Sequence, residues 1–205
     1  MNQPTLSLLG SMTEEQRMMR DSLHRLMSDL ATPAYLREID DQARYPHEIY
    51  DAWIELGLLR IGLPEQYGGL GGSLADLVWI SQDLAHWSYD VYTAYSVPLY
   101  TALTLLKIGS EAQKSHYLPA LMQGQIKLST SISEPSAGSD VSALTTTAHR
   151  VEGGWSIRGQ KLWNTAAGEP GNVLQVLVKT DPTAPARKGM SMFLVPNDTP
   201  GVQCR

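Results

Sequence analysis

The sequence predicts an α+β protein, with an all-α helical domain over residues 1–124 followed by a β-domain over residues 125–205. Three observations carry this expectation. Apolar residues recur at spacings of three and four through the first half. Ser or Thr followed three residues later by Gln or Asp, the pattern of a capping box, precedes three of those runs. Immediately after Gly124 the apolar period changes to two, the repeat of a strand.

Thr13 with Gln16 opens the first helix, whose buried face is expected to hold Met19, Leu23, Leu26, Met27 and Leu30. Pro46 opens a second, carrying Ile49, Trp53 and Leu56, and Gly57 ends it. Ser73 with Asp76 caps a third, with Leu74, Leu77, Val78, Leu84 and Ala85 along it. Between Ser88 and Lys107 apolar residues lie nearly all round, so a central covered helix is expected, with a kink at Pro98. Ser110 with Gln113 caps a fifth helix that stops before Gly124.

From Gln125 onward, Ile126, Leu128, Thr130 and Ile132 alternate with polar residues. Leu144 to Val151 and Trp155 to Ile157 flank Glu152-Gly153-Gly154, a hairpin signal. Val173 to Val178 is apolar almost throughout, as a strand buried on both faces would be, and Met190 to Val195 is a further strand. Lys179 to Gly189 is the loop between them.

Composition excludes several function classes. Sixteen basic against 21 acidic side chains give a net charge of -5, and no basic cluster suits a nucleic-acid backbone. Cys204 is the one cysteine, so the chain forms no internal disulfide, and a reducing, cytoplasm-like compartment is expected. The first dozen residues lack a secretory pattern, and no apolar run reaches the length of a membrane span. The histidines His24, His47, His86, His116 and His149 show no metal-ligand spacing, so no metal is expected. The glycines at 68, 69, 71 and 72 do not complete a nucleotide-binding fingerprint, because Leu74 stands where the last glycine would fall; a loop that caps a helix is the simpler reading. No nucleophile elbow occurs around Ser139.

Two segments carry the chemistry. The first, Ser133-Glu134-Pro135-Ser136-Ala137-Gly138-Ser139-Asp140, follows the strand that ends at Thr130 to Ile132. Its turn is expected to expose N–H groups at Ala137, Gly138 and Ser139, where an anion such as a pyrophosphate can approach. Alone, the same stretch reads equally well as a plain strand-to-loop turn. The second, Gly159-Gln160-Lys161-Leu162-Trp163-Asn164-Thr165, read as a strand, places Trp163 and Thr165 on one face. Alone, Trp163 reads as a core aromatic.

Together these segments resemble the paired flavin-binding signatures of the acyl-CoA dehydrogenase family, Thr-Glu-Pro-x-Ala-Gly-Ser-Asp and Asn-Gly-x-Lys-x-Trp-Ile-Thr. Leu63-Pro64-Glu65-Gln66-Tyr67-Gly68-Gly69-Leu70-Gly71 is similar to a helix-joining loop of the same family. The resemblance implies a β-barrel-like or β-sandwich middle domain that binds FAD. It further implies that Thr130, Ile132 and Ser133 line the pyrimidine side of the flavin, that Gly138 and Ser139 face its pyrophosphate, and that Ser139 also lies near an acyl-CoA. Trp163, Asn164 and Thr165 would flank the ring, with the Thr165 hydroxyl near N5. Ser133 stands where the family has Thr, and Asn164 where it has Ile or Val, which puts a polar side chain on an expected packing face.

The implied reaction is α,β-dehydrogenation of a CoA thioester, with an electron-transfer flavoprotein downstream and a homo-oligomeric enzyme. No catalytic base is assigned within residues 1–205, because the family draws it from a C-terminal helical domain; the isolated chain is therefore expected not to turn over. Two alternatives stay open: a non-catalytic partner of the same fold, and a related acyl-CoA oxidase or flavin monooxygenase.

Overall fold

The structure, a computed structural model, describes residues 12–185 and 188–205. The N-terminal stretch read above for a secretory pattern lies, up to residue 11, outside the described residues. Helices α1 (Glu14–Leu30), α2 (Pro33–Asp41), α3 (His47–Leu56), α4 (Leu74–Trp87), α5 (Tyr89–Ile108) and α6 (Glu111–Met122) come first. Strands β1 (Lys127–Ser131), β2 (Thr147–Val151), β3 (Gly154–Arg158), β4 (Asn172–Lys179) and β5 (Met190–Pro196) follow. By packing, the chain divides into two compact units. One holds residues up to Ser96 with Ser110–Gly124, and the other holds Val97–Gly109 with Gln125–Arg205.

In the helical unit the three expected capping boxes are formed, at Thr13/Gln16, Ser73/Asp76 and Ser110/Gln113. Each satisfies backbone donors that a helix start leaves without partners. Gly57 ends α3 in the left-handed conformation, φ 77°, that glycine adopts without steric cost. Helix α2 was not foreseen; Thr32 caps it and Pro33 occupies its first turn. The buried side of α4 also differs from expectation. Leu77, Trp79, Ile80 and Leu84 face inward, whereas Leu74 and Val78 are exposed. Trp53, Tyr50, Tyr95, Ile49 and Leu58 form the centre of this unit, with Trp53 and Tyr95 in edge contact at 6.0 Å between ring centroids. Each such fully buried apolar side chain contributes about 1.5–3 kcal/mol.

Helix α5 runs through Pro98 and is buried on every side from Ala94 to Leu99. Proline cannot donate to the carbonyl four residues back. The Tyr45 hydroxyl donates to that Ala94 carbonyl instead, at 3.3 Å.

The strands form a single curled mixed sheet, a half-barrel centred on β4. β1 pairs with β4 in parallel, Lys127 opposite Asn172 through Ser131 opposite Val176. β5 pairs antiparallel with β4 over Val173–Lys179. β2 joins at Lys179, beyond the end of β1, and β3 returns antiparallel to β2 through the Glu152-Gly153 turn. Ala148, Leu174, Val176 and Val178 form the core of the sheet, with Ile157, Phe193, Val195 and Val202 packed against it.

Both faces of β1 are covered. Leu128 is buried on one, and Ser129 and Ser131 are buried on the other. The serines are accommodated because amides reach them: Asn172 donates to Ser129 Oγ at 3.1 Å, and Asn164 donates to Ser131 Oγ. No helix among the described residues is long and apolar enough to cross a membrane.

Candidate functional site

The two segments singled out in the sequence meet at the end of β1, within the sheet unit. Four ties join the second segment to the end of β1 and to the first segment. Asn164 Nδ2 donates to Ser131 Oγ; Lys161 Nζ donates to the Ile132 carbonyl at 3.0 Å; the Leu162 N–H donates to the Ser133 carbonyl at 2.8 Å; and Lys161 Nζ pairs with Glu134 Oε1 at 2.8 Å.

The second segment is not a strand. Residues 159–164 have no regular secondary structure, and residues 165–168 form a turn. Trp163 has φ 59°, in the left-handed region that a bulky side chain avoids. The two-residue alternation that placed Trp163 and Thr165 on one face therefore does not apply. Nor is Trp163 a core aromatic. It is 88% exposed, although the residues on either side of it are fastened to the strand end. Thr165 is exposed as well. Asn164 turns inward, and its Oδ1 is buried with no hydrogen-bond partner among the described residues. The amide on this expected packing face is thus half satisfied, by Ser131.

The first segment turns sharply after β1. Glu134 and Ala137 exchange both backbone hydrogen bonds, at 2.7 and 3.2 Å. The Ala137 N–H, expected to be free, is consumed in closing the turn. The N–H groups of Gly138 and Ser139 make no backbone hydrogen bond among the described residues, and both residues are exposed. A Cβ added at Gly138 would meet no atom within 4 Å, and this glycine does not have a positive φ. The chain's own packing thus gives no reason for glycine here, while an approaching anion would give one. Asp140 follows, and its carboxylate accepts from the Ser142 N–H at 2.9 Å.

Thr130, Ile132 and Ser133 are half-buried. The Thr101 hydroxyl donates to the Val97 carbonyl at 2.7 Å and lies 2.8 Å from the Thr130 hydroxyl. Its single hydrogen is used, so Thr130 must be the donor of that second bond. Thr130 therefore offers a ligand only a lone pair. The carbonyls of Ile132 and Ser133 each already accept one bond, whereas the Ser133 hydroxyl makes none among the described residues.

Glu134 and Lys161 are the charged groups of the site that sequence reasoning missed. The Glu134 side chain is fully buried and its carboxylate accepts four donors: Lys161 Nζ, the Thr145 N–H at 2.6 Å, the Thr145 hydroxyl at 2.7 Å and the Thr146 N–H at 3.0 Å. Burial alone would raise its pKa, but the bonds from Lys161, Thr146 and Thr145 outweigh burial and hold it far below the usual carboxylate range. Burial lowers the pKa of Lys161, and its pairing with Glu134 only partly offsets that. The signal that could have found the pair is that Glu134 in the first motif and Lys161 in the second are charges set beside residues headed for the interior. Among the described residues, no group of three or more His, Cys, Asp or Glu could hold a metal ion.

Comparison with known proteins places this arrangement. Residues 13–125 match the acyl-CoA dehydrogenase N-terminal domain, and residues 129–205 match the middle domain of the same family. The chain is 37% identical over 187 residues to acyl-CoA dehydrogenase FadE34 of Mycobacterium tuberculosis, covering 88% of this chain and 26% of that protein. Its fold superposes on the crystal structure of an acyl-CoA dehydrogenase from Geobacillus kaustophilus with a TM-score of 0.84 at 28% identity, over 94% of this chain and 50% of that one. A glutaryl-CoA dehydrogenase from Mycobacterium smegmatis, solved in complex with FADH2, superposes with a TM-score of 0.81 at 26% identity, over 96% of this chain and 48% of that one. The chain thus spans half or less of the length of each of these relatives. With both of its domains matched in order, the chain belongs to the acyl-CoA dehydrogenase family.

Proposed function

We propose that residues 1–205 form the helical and middle portions of an FAD-dependent acyl-CoA dehydrogenase, divided near Gly124, and that the end of β1 is its flavin site. The observation that carries this reading is Trp163, an exposed indole in a left-handed backbone conformation, presented by neighbours that are both fastened to the strand end. Strain and exposure in an anchored residue are expected where a ligand supplies the missing contact.

In this reading Trp163, Asn164 and Thr165 bind and orient the ring from one side, while Thr130, Ile132 and Ser133 border it through backbone groups and hydroxyls. Gly138 and Ser139 receive the pyrophosphate through their unpaired N–H groups, and Ser139 also borders the acyl-CoA. FAD, when bound, supplies the acceptor for hydride from the β-carbon of the thioester. The chain's own contribution is placement and exclusion of water around the reacting carbons. An electron-transfer flavoprotein takes the electrons onward, the assembly is homo-oligomeric, and the setting is cytoplasmic.

The test is titration of the apoprotein with FAD, followed by flavin fluorescence. Wild type should bind saturably, and Trp163→Ala should bind at least about tenfold more weakly without losing thermal stability, since the indole buries little in the chain itself. Absence of binding by wild type, or equal binding by the variant, would reject the reading.

A further inference from the structure

Glu134 is the point at which three pieces of the site converge. Its backbone closes the turn that precedes Gly138 and Ser139 through the paired bonds with Ala137. Its buried carboxylate takes the N–H groups of Thr145 and Thr146 and the Thr145 hydroxyl, from residues that lead into β2. Its remaining bond goes to Lys161, two residues before Trp163, and the same ammonium reaches back to the Ile132 carbonyl. A side chain at Gly159 would collide with Thr146, so the second segment passes tightly over one of the residues that Glu134 holds. Neither charged group has a role in the chemistry proposed above. Burying both is costly, and a well-packed apolar pair would serve plain stability at least as well.

We propose that Glu134 and Lys161 are positioning residues: their ion pair holds the Trp163 segment against the end of β1 and sets the indole in fixed relation to the Gly138-Ser139 turn. A point charge with three donors suits this task, because one ammonium can bind a carboxylate and a carbonyl at once in a small space. An apolar pair would fill the volume but leave the Ile132 carbonyl and the loop amides without a fixed register. The consequence for ligand binding rests on the flavin reading; the holding of the segment does not.

The experiment compares wild type, Lys161→Met, Lys161→Arg and the double variant Glu134→Gln/Lys161→Met in the 205-residue chain. Amide exchange is followed at Leu162 and, as an internal reference, along β4 at Val173 to Val176; FAD affinity is measured on the same samples. In Lys161→Met the Leu162 amide should exchange at least about tenfold faster while the β4 amides are unchanged, and the dissociation constant for FAD should rise by a similar factor. Lys161→Arg, which keeps the charge, should recover part of both effects. The double variant covers the case in which an unpaired Glu134 prevents Lys161→Met from folding, and it should show the same selective loosening. Unchanged Leu162 exchange, or acceleration shared equally by β4, would overturn the proposal by reducing the pair to general stability. Loosened Leu162 with unaltered FAD affinity would also overturn it as a positioning device. If wild type itself fails to bind FAD, the flavin reading falls, and the Leu162 measurement alone decides whether the pair holds the segment.

Discussion

The hydroxyls of Thr101 on α5 and Thr130 on β1 lie 2.8 Å apart, with Thr130 as donor because the Thr101 hydrogen is committed to the Val97 carbonyl. Thr101 is fully buried, so this bond fastens the second half of α5 to the strand that leads into the site. Thr101→Val keeps the shape and removes the acceptor. It should cost about 1–2 kcal/mol in urea unfolding. Combined with Thr130→Val, the loss should fall clearly short of the sum of the two single losses, as expected for residues that share one bond. Strict additivity would show that the two hydroxyls are not coupled.

Acid should weaken the site through Glu134. Its folded-state pKa lies below the usual 4.5, since its hydrogen bonds outweigh the effect of burial. A group with a depressed folded pKa contributes stability that is complete above its unfolded pKa and is lost as pH falls. The stability difference between wild type and Glu134→Gln should therefore stay constant above about pH 5 and shrink steadily below about pH 4.5. A difference that grew on acidification would contradict the geometry around this carboxylate.

How much of this was legible in the sequence follows from the range of the interactions. The caps at Thr13, Ser73 and Ser110 act across three residues, so the letters themselves contain them. Helix α2 was readable from Thr32-Pro33, but its nine residues carry too short an apolar stripe to stand out. The strand pattern of β4 survived because it is buried on both faces, which only apolar residues tolerate in quantity. The motifs pointed to the end of β1 as the candidate site. They did not give its geometry, because Asn164 reaches Ser131 and Lys161 reaches Glu134 across 33 and 27 residues of sequence. Those ties, and not local alternation, set the path of residues 161–165. The Ala137 N–H likewise looked free until the turn was seen to close on Glu134.

Asp76 has two jobs, and its removal should show both. Its Oδ2 accepts from the Ser73 N–H at 2.6 Å and the Ser73 hydroxyl at 2.7 Å, while Oδ1 accepts from Gln16 Nε2 on α1 at 2.6 Å and lies 3.4 Å from Trp79 Nε1. Ser73→Ala loses only the cap, which costs about 1 kcal/mol. Asp76→Ala keeps the backbone N–H that donates to the Ser73 hydroxyl but loses the acceptor for the Ser73 N–H together with the tie to α1, and should cost about 2–3 kcal/mol. Equal destabilisation of the two variants in chemical unfolding would show that the bond to Gln16 contributes nothing.

Position 163 should reverse the usual ranking of small residues. Glycine ordinarily destabilises relative to alanine because it loses more freedom on folding. At φ 59° the balance changes, since alanine keeps a Cβ in a region where it is crowded and glycine does not. Trp163→Gly should therefore be at least as stable as Trp163→Ala, by up to about 1 kcal/mol in urea unfolding. The exposed indole makes both comparisons clean, because little packing is lost from the chain in either variant. For FAD the two should be equally impaired, since neither presents a flat aromatic surface. A glycine variant that is clearly less stable than the alanine variant would mean that Trp163 does not hold a left-handed conformation, and that its exposure must be explained without backbone strain.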